Sequence, residues 1–173
     1  MVENPQLSDH SLNLLMIRHA HRDVSLRSLD NGLSEKGLKQ RAKLTEEFFT
    51  HFPQESNSQK WNNLLSSPKI RCQETLYGLE AELNSPIVID EALNEQQATE
   101  SYEAFQNRIS NFIQRLKKAG GNYVLCSHGD WLPEFHQQIF HQDLHFRKAE
   151  AILYSHDKAV GTWTQRPIFL RKP

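Results

Sequence analysis

Cysteine is scarce in this chain, with only Cys72 and Cys126 among 173 residues. Two cysteines make no disulfide framework, so a packed core has to hold the fold; this length suits one domain and is short for two. Charge of one sign is also lacking. The formal net charge is −1, which offers no basic field for nucleic acid and no acidic tail. Long hydrophobic runs are missing too: the apolar stretch from Leu12 to Ile17 is far too short for a signal sequence or a membrane span, and Met1 to His10 ahead of it is polar. These absences lead us to expect one domain over residues 1–173 with a flexible N-terminus at 1–10. Cytoplasmic residence is the default, with no nucleic-acid and no membrane partner. Nothing in the sequence bears on oligomeric state.

What the chain does have is an apolar run that breaks abruptly into two polar side chains, Leu14-Leu15-Met16-Ile17-Arg18-His19-Ala20. The pattern predicts a buried strand delivering Arg18 and His19 to the C-terminal edge of a sheet, where the backbone is rigid and the next loop is open to solvent. Two later segments have the same form. Ser66-Ser67-Pro68-Lys69-Ile70-Arg71 follows Leu64-Leu65, and Ser127-His128-Gly129-Asp130 follows Tyr123-Val124-Leu125-Cys126. A phosphoryl group carries about two negative charges near neutral pH. Guanidinium forks match its oxygens with paired hydrogen bonds, and Arg18 and Arg71 can supply them. A neutral imidazole with one nitrogen bonded to a fixed acceptor keeps its other lone pair free for attack, which makes His19 the candidate nucleophile. His128 is placed to donate a hydrogen bond as charge shifts in the transition state. One carboxylic acid is missing from this set.

Strands alternate with helical segments, which predicts a layered α/β fold. Ser34 should cap a helix carrying Leu38, Ala42, Leu44 and Phe48, and Pro68 suits the first turn of the helix that bears Arg71. Tyr102, Phe105, Ile109, Phe112, Ile113 and Leu116 mark an amphipathic helix stopped by Gly120-Gly121. A short helix is expected from Leu132 to Phe140. Residues from Ala149 to Tyr154 and from Val160 to Trp163 read as a hairpin turning at His156-Asp157-Lys158. Gln54 to Gln59 reads as a polar surface loop.

Together these motifs resemble the histidine phosphatase superfamily, which is phosphoglycerate mutase-like, and in size the chain is similar to its short phosphohistidine phosphatases. Arg18-His19-Ala20 matches the opening Arg-His-Gly motif, and Leu33-Ser34-Glu35-Lys36-Gly37 matches the Leu-Ser/Thr-x-x-Gly helix opening. Ser66-Ser67-Pro68-Lys69-Ile70-Arg71-Cys72-Gln73-Glu74-Thr75 matches the second-arginine motif, and Ser127-His128-Gly129 matches the second-histidine motif. The resemblance implies a three-layer α/β/α sandwich with a central, mostly parallel sheet, in a minimal version without a large cap. It also implies a phosphatase that hydrolyses phosphomonoesters or protein phosphohistidine. His19 would be transiently phosphorylated, with Arg18, Arg71 and His128 completing the phosphate pocket and no cofactor required. In the mutase-like branch of the family the acid is a glutamate after a strand and a Leu-x pair, and Leu93-Asn94-Glu95 fits after Ile87-Val88-Ile89. Glu95 is therefore the expected acid, with Asp130 as the fallback. Three departures stand out: Ala20 for the motif glycine, Glu74 for a glutamine, and Gln96-Gln97-Ala98-Thr99 where a Gly-x-Trp-Glu-Gly type sequence often follows the acid.

Other readings share these residues. His19-x-His21-x-Asp23 resembles the start of a two-metal hydrolase signature, although Val24 stands where its last histidine would be. A non-catalytic phosphate-binding regulatory module is the third reading. Arg22 and Asp130 are expected at the substrate, and Arg147 at the surface. Cys72 and Cys126 read as small buried hydrophobes. His10, His51, His136, His141, His145 and His156 show no ligand spacing. The partner is a phosphorylated small molecule or a phosphoprotein.

Overall fold

A computed structural model describes residues 11–25, 29–53 and 60–169. The expectations for residues 1–10 and for Gln54 to Gln59 lie outside the described residues. In chain order the elements are β1 (Leu12–Arg18), α1 (Glu35–His51), β2 (Asn63–Ser66), α2 (Ile70–Leu83), β3 (Ile87–Ile89), a 3₁₀ turn (Glu91–Leu93), α3 (Tyr102–Ala119), β4 (Gly121–Ser127), α4 (Trp131–Phe140), β5 (Ala151–Asp157) and β6 (Thr162–Phe169). The strands form one sheet in the order β3-β2-β4-β1-β5-β6. β3, β2, β4 and β1 pair in parallel, while β5 and β6 join antiparallel.

The alternation of side chains along β1 explains the layers. Leu15 and Ile17 enter a core with Leu44 and Phe48 of α1 and with Cys72, Leu76 and Leu79 of α2. Leu12, Leu14 and Met16 enter the opposite core, with Phe105, Ile109, Phe112 and Leu116 of α3 and with Trp131, Leu132 and Phe135 of α4. A strand apolar on both faces needs helices on both faces, and the result is the three-layer α/β/α sandwich with a mostly parallel sheet.

The register brings the working ends together. Arg18 pairs with Ser127, and Ser66 pairs with Cys126, so β4 ends between β1 and β2. Ser34 caps α1 as expected, its hydroxyl accepting from Gly37 N–H at 3.2 Å. Pro68 does not lie in the first turn of α2. That helix starts at Ile70, whose N–H donates to Asp30 Oδ2 at 3.1 Å, so a carboxylate from a distant loop sets the start. α4 begins one residue early, at Trp131, because Asp130 caps it. The hairpin turns at Lys158 to Gly161 instead of His156 to Lys158. Asp157 accepts Ala159 N–H at 2.8 Å, and Gly161 supplies the left-handed backbone the turn needs at φ 72. Tyr102 lies outside the apolar face of α3, 58% exposed, with its hydroxyl donating to Glu134 at 2.5 Å.

Candidate active site

The sheet's C-terminal edge gathers Arg18, His19, Arg71, Glu95 and His128. His19 follows β1 and is buried; its ring lies 5.4 Å from that of His128, edge to face. His19 Nδ1 donates to Ala20 O at 2.8 Å, because a carbonyl can only accept. The proton is thus placed on Nδ1 and Nε2 keeps its lone pair. Burial holds the His19 imidazole down to about 2 against the Ala20 hydrogen bond, and the His128, Lys148 and Arg71 charges act in the same direction as burial. Ala20 is fully buried and its φ is not positive, so its methyl group is accommodated where the motif has glycine.

His128 follows β4. Arg71 Nη2 donates to its Nδ1 at 3.3 Å, which leaves the ring proton on Nε2, 2.7 Å from Ser67 Oγ. Burial, then the charges of Arg71, Lys69 and Arg18, holds His128 down to about 2. Cys72 Sγ packs 3.6 Å from Nε2 and, like Cys126, is buried.

The two arginines are held differently. Arg18 Nη1 donates to Phe146 O at 2.6 Å. Arg71 is almost wholly buried, with Nη2 2.6 Å from Glu95 Oε2 and Nη1 3.3 Å from Asp30 Oδ1. The Nε of each guanidinium is buried with no hydrogen-bond partner among the described residues. These are two donors in reserve at a site already rich in positive charge.

Glu95 reaches the cluster from the loop after the 3₁₀ turn. Its Oε2 lies 3.7 Å from His128 Nδ1, and its Oε1 lies 3.7 Å from Lys69 Nζ. Burial would push its carboxyl up, but the Arg71 hydrogen bond and the charges of Arg71, Lys69 and Arg22 outweigh it and hold the carboxyl below its usual range. The loop is braced on several sides. Ser127 Oγ donates to Leu93 O at 2.7 Å, Trp131 Nε1 to Ala92 O at 2.7 Å, and Arg108 Nη1 to Asn94 O at 2.9 Å. Asp130 stands beside this loop with both oxygens engaged, Oδ2 accepting Gln96 N–H and Oδ1 accepting Trp131 N–H, each at 2.8 Å.

His19, His21 and Asp23 are not brought together as cation ligands. His21 Nδ1 faces Ser34 Oγ at 2.8 Å, and exposed Asp23 accepts Ser25 N–H at 2.9 Å. Among the described residues, no three His, Cys, Asp or Glu side chains gather as a metal site. Arg22 pairs its backbone with Leu33, and its charge acts on Glu95. Arg147 is exposed, as expected. Glu74 accepts Leu33 N–H at 2.5 Å, a role the motif glutamine's oxygen could also fill. Sequence reasoning missed four residues at the site. Lys69 and Ser67 sat inside a motif already in view, whereas Asp30 and Lys148 lie in loops with no local pattern.

The site's composition agrees with what the chain resembles. No curated protein matches it in sequence. Its fold is similar to a putative alpha-ribazole-5'-P phosphatase from Escherichia coli str. K-12, with TM-score 0.73, 17% identity, and coverage of 92% of this chain and 97% of that one. It is similar to phosphoglycerate mutase from Bacillus anthracis, with TM-score 0.74, 14% identity, and coverage of 91% and 92%. It is also similar to the protein histidine phosphatase SixA complexed with tungstate, with TM-score 0.69, 15% identity, and coverage of 90% and 94%. At such identities these likenesses concern the fold alone. Residues 14–99, which hold the first arginine-histidine pair, the α1 opening, the second arginine and Glu95, match the family model of the histidine phosphatase superfamily, branch 1. The chain belongs to the histidine phosphatase superfamily.

Proposed function

We propose that this protein is a metal-independent phosphatase that hydrolyses phosphomonoesters through a phosphohistidine formed on His19. The observation that carries this reading is the 2.8 Å hydrogen bond from His19 Nδ1 to Ala20 O, which fixes a neutral ring with Nε2 free to attack. Arg18 and Arg71 grip the phosphoryl oxygens, using the Nε donors that have no partner among the described residues. Nε2 bonds to phosphorus as the ester P–O bond breaks, and Glu95 gives its proton to the leaving oxygen. Water then attacks the phosphohistidine, loses a proton to Glu95 and releases inorganic phosphate.

Glu95 needs a proton for the first step, and the free site holds it ionised. Binding supplies the change. A phosphoryl dianion that takes Arg71's donors removes the hydrogen bond lowering Glu95 and sets a negative charge beside it, and both effects raise its proton affinity. The same exchange frees His128 Nδ1. Exchange with water then moves the ring proton from Nε2 to Nδ1 while Ser67 turns its hydroxyl to donate to Nε2, so that Nδ1 donates to a phosphoryl oxygen. Asp130, with both oxygens on backbone N–H groups, braces the Glu95 loop in this scheme, and Arg22 stands at the rim for substrate.

Phosphohistidine on a protein is the second substrate class. It is favoured by the connections at this edge, which among the described residues contain no helix beyond the 3₁₀ turn. Chelator-treated enzyme should hydrolyse p-nitrophenyl phosphate, and vanadate, which adopts the five-coordinate geometry of the transition state, should inhibit it. Activity lost in chelator and restored by zinc or manganese would overturn the proposal in favour of metal chemistry.

A further inference from the structure

Residues 146–150 are stapled to Arg18 at three points. Arg18 Nη1 donates to Phe146 O at 2.6 Å, Ala149 N–H to Arg18 O at 3.0 Å, and Arg18 N–H to Glu150 O at 3.1 Å. The Glu150 carboxylate accepts Arg147 N–H and closes the turn from within. Ala149 takes the left-handed backbone at φ 60, which a residue with a Cβ seldom adopts. A strained residue persists only where its surroundings over-determine it, and such strain clusters at working sites. Here the turn that carries half-buried Lys148 is pinned to the arginine of the phosphate pocket.

The charges around Lys148 make that position unusual. Burial, then Arg18, Arg22 and Arg71, lowers its ammonium from the ordinary lysine range, and the charges acting on it are all positive. Lys69 and Arg71 face Glu95, and Arg71 also faces Asp30. Neither Lys148 nor Arg22 forms an ion pair among the described residues. One phosphoryl dianion is already met by Arg18 and Arg71. Two further cations in a partly desolvated setting repel their neighbours unless a second anion arrives to offset them.

We propose that Lys148, together with Arg22, forms a second anion subsite on the rim of the pocket, so that the substrate is a phosphomonoester carrying a further carboxylate or phosphate near its phosphoryl group. This rests on the phosphomonoesterase reading above. It adds that discrimination among esters comes from the 146–150 turn.

The test compares phosphoglycolate, which bears a carboxylate, with ethyl phosphate, its counterpart of similar size without one, and with ethanediol bisphosphate. Phosphate release and calorimetric binding are measured for wild type, Lys148→Gln and Lys148→Arg. Wild type should favour phosphoglycolate or the bisphosphate over ethyl phosphate by about tenfold to a hundredfold, the range of one charge-assisted contact. The preferred one of the two identifies the second anion. Lys148→Gln should collapse that ratio to near one, and Lys148→Arg should restore most of it, which separates lost charge from lost folding. A wild-type ratio near one, or a ratio unchanged in Lys148→Gln, overturns the proposal. The second result would leave Lys148 holding only the transferred phosphoryl group. Should wild type turn over none of these esters, the phosphatase reading falls, while the ratio of dissociation constants still decides for or against the subsite.

Discussion

Arg18 lies where a side chain on residue 129 would be. A Cβ built on Gly129 would sit 2.6 Å from Arg18 Cζ and 2.8 Å from its Nε, so the glycine after His128 is what lets the guanidinium cross beneath the loop. Gly129→Ala should displace the fork and lower kcat/KM for p-nitrophenyl phosphate by about tenfold to a hundredfold, since a misplacement near 1 Å costs up to about that much. A loss under threefold would show that Arg18 moves aside freely. Glu95 has a sharper signature. An alkyl phosphate expels a poor alkoxide and needs the proton, whereas nitrophenolate leaves with little help, so Glu95→Gln should slow alkyl esters about tenfold to a thousandfold more than the aryl ester. Equal slowing of both at matched rate-limiting steps would remove Glu95 from the acid's role and point to Asp130. At this scale the chain was legible where a residue type and its neighbours carry the chemistry, as in Arg18-His19 or Ser127-His128-Gly129. Asp30 was not legible, because its contact with Arg71 spans 41 positions and leaves no local trace.

Elements were read well where one strong rule acted and less well where a distant group decided. Ser34 is the clear case, a cap hydroxyl that accepts Gly37 N–H and also faces His21 Nδ1 at 2.8 Å. Ser34→Ala should lower stability by about 1 kcal/mol, the usual cost of a lost cap, as a shift of the urea midpoint at constant slope. An unchanged midpoint would mean that water or another group caps α1. The start of α2 went the other way. Proline favours a first helical turn by its fixed φ, but Asp30 caps Ile70 two residues further on, so the local preference gave way to a tertiary contact. The hairpin turn lies later than its polar run for a related reason. His156-Asp157-Lys158 is polar, yet the backbone reversal waits for Gly161, and β6 runs on to Phe169.

For the whole molecule, two buried neutral imidazoles at one sheet edge couple stability to pH. His19 and His128 are both held down to about 2, whereas an unfolded histidine titrates near 6.5. Between those values the unfolded chain binds more protons than the folded one, so stability falls as pH drops below about 6.5, by up to about 1.4 kcal/mol per pH unit for each ring. Glu95, depressed relative to its unfolded value, adds stability that is lost in the same acid direction. Urea midpoints should therefore fall steadily from pH 7 to pH 5, and a flat profile would mean that the rings are solvated enough to protonate in place. The layered architecture was legible because β1 is apolar on both faces. The order of the strands was not, since no single segment reveals that β4 inserts between β1 and β2. That insertion is what sets His128 beside His19, and the central claim rests on it: His19 is the nucleophile. The direct measurement is rapid quenching at neutral to alkaline pH during turnover of a labelled phosphomonoester, followed by peptide mapping. The account predicts label on His19, labile to acid, stable to alkali and absent in His19→Ala. Acid-stable label on a serine, or sustained turnover by His19→Ala, would contradict it.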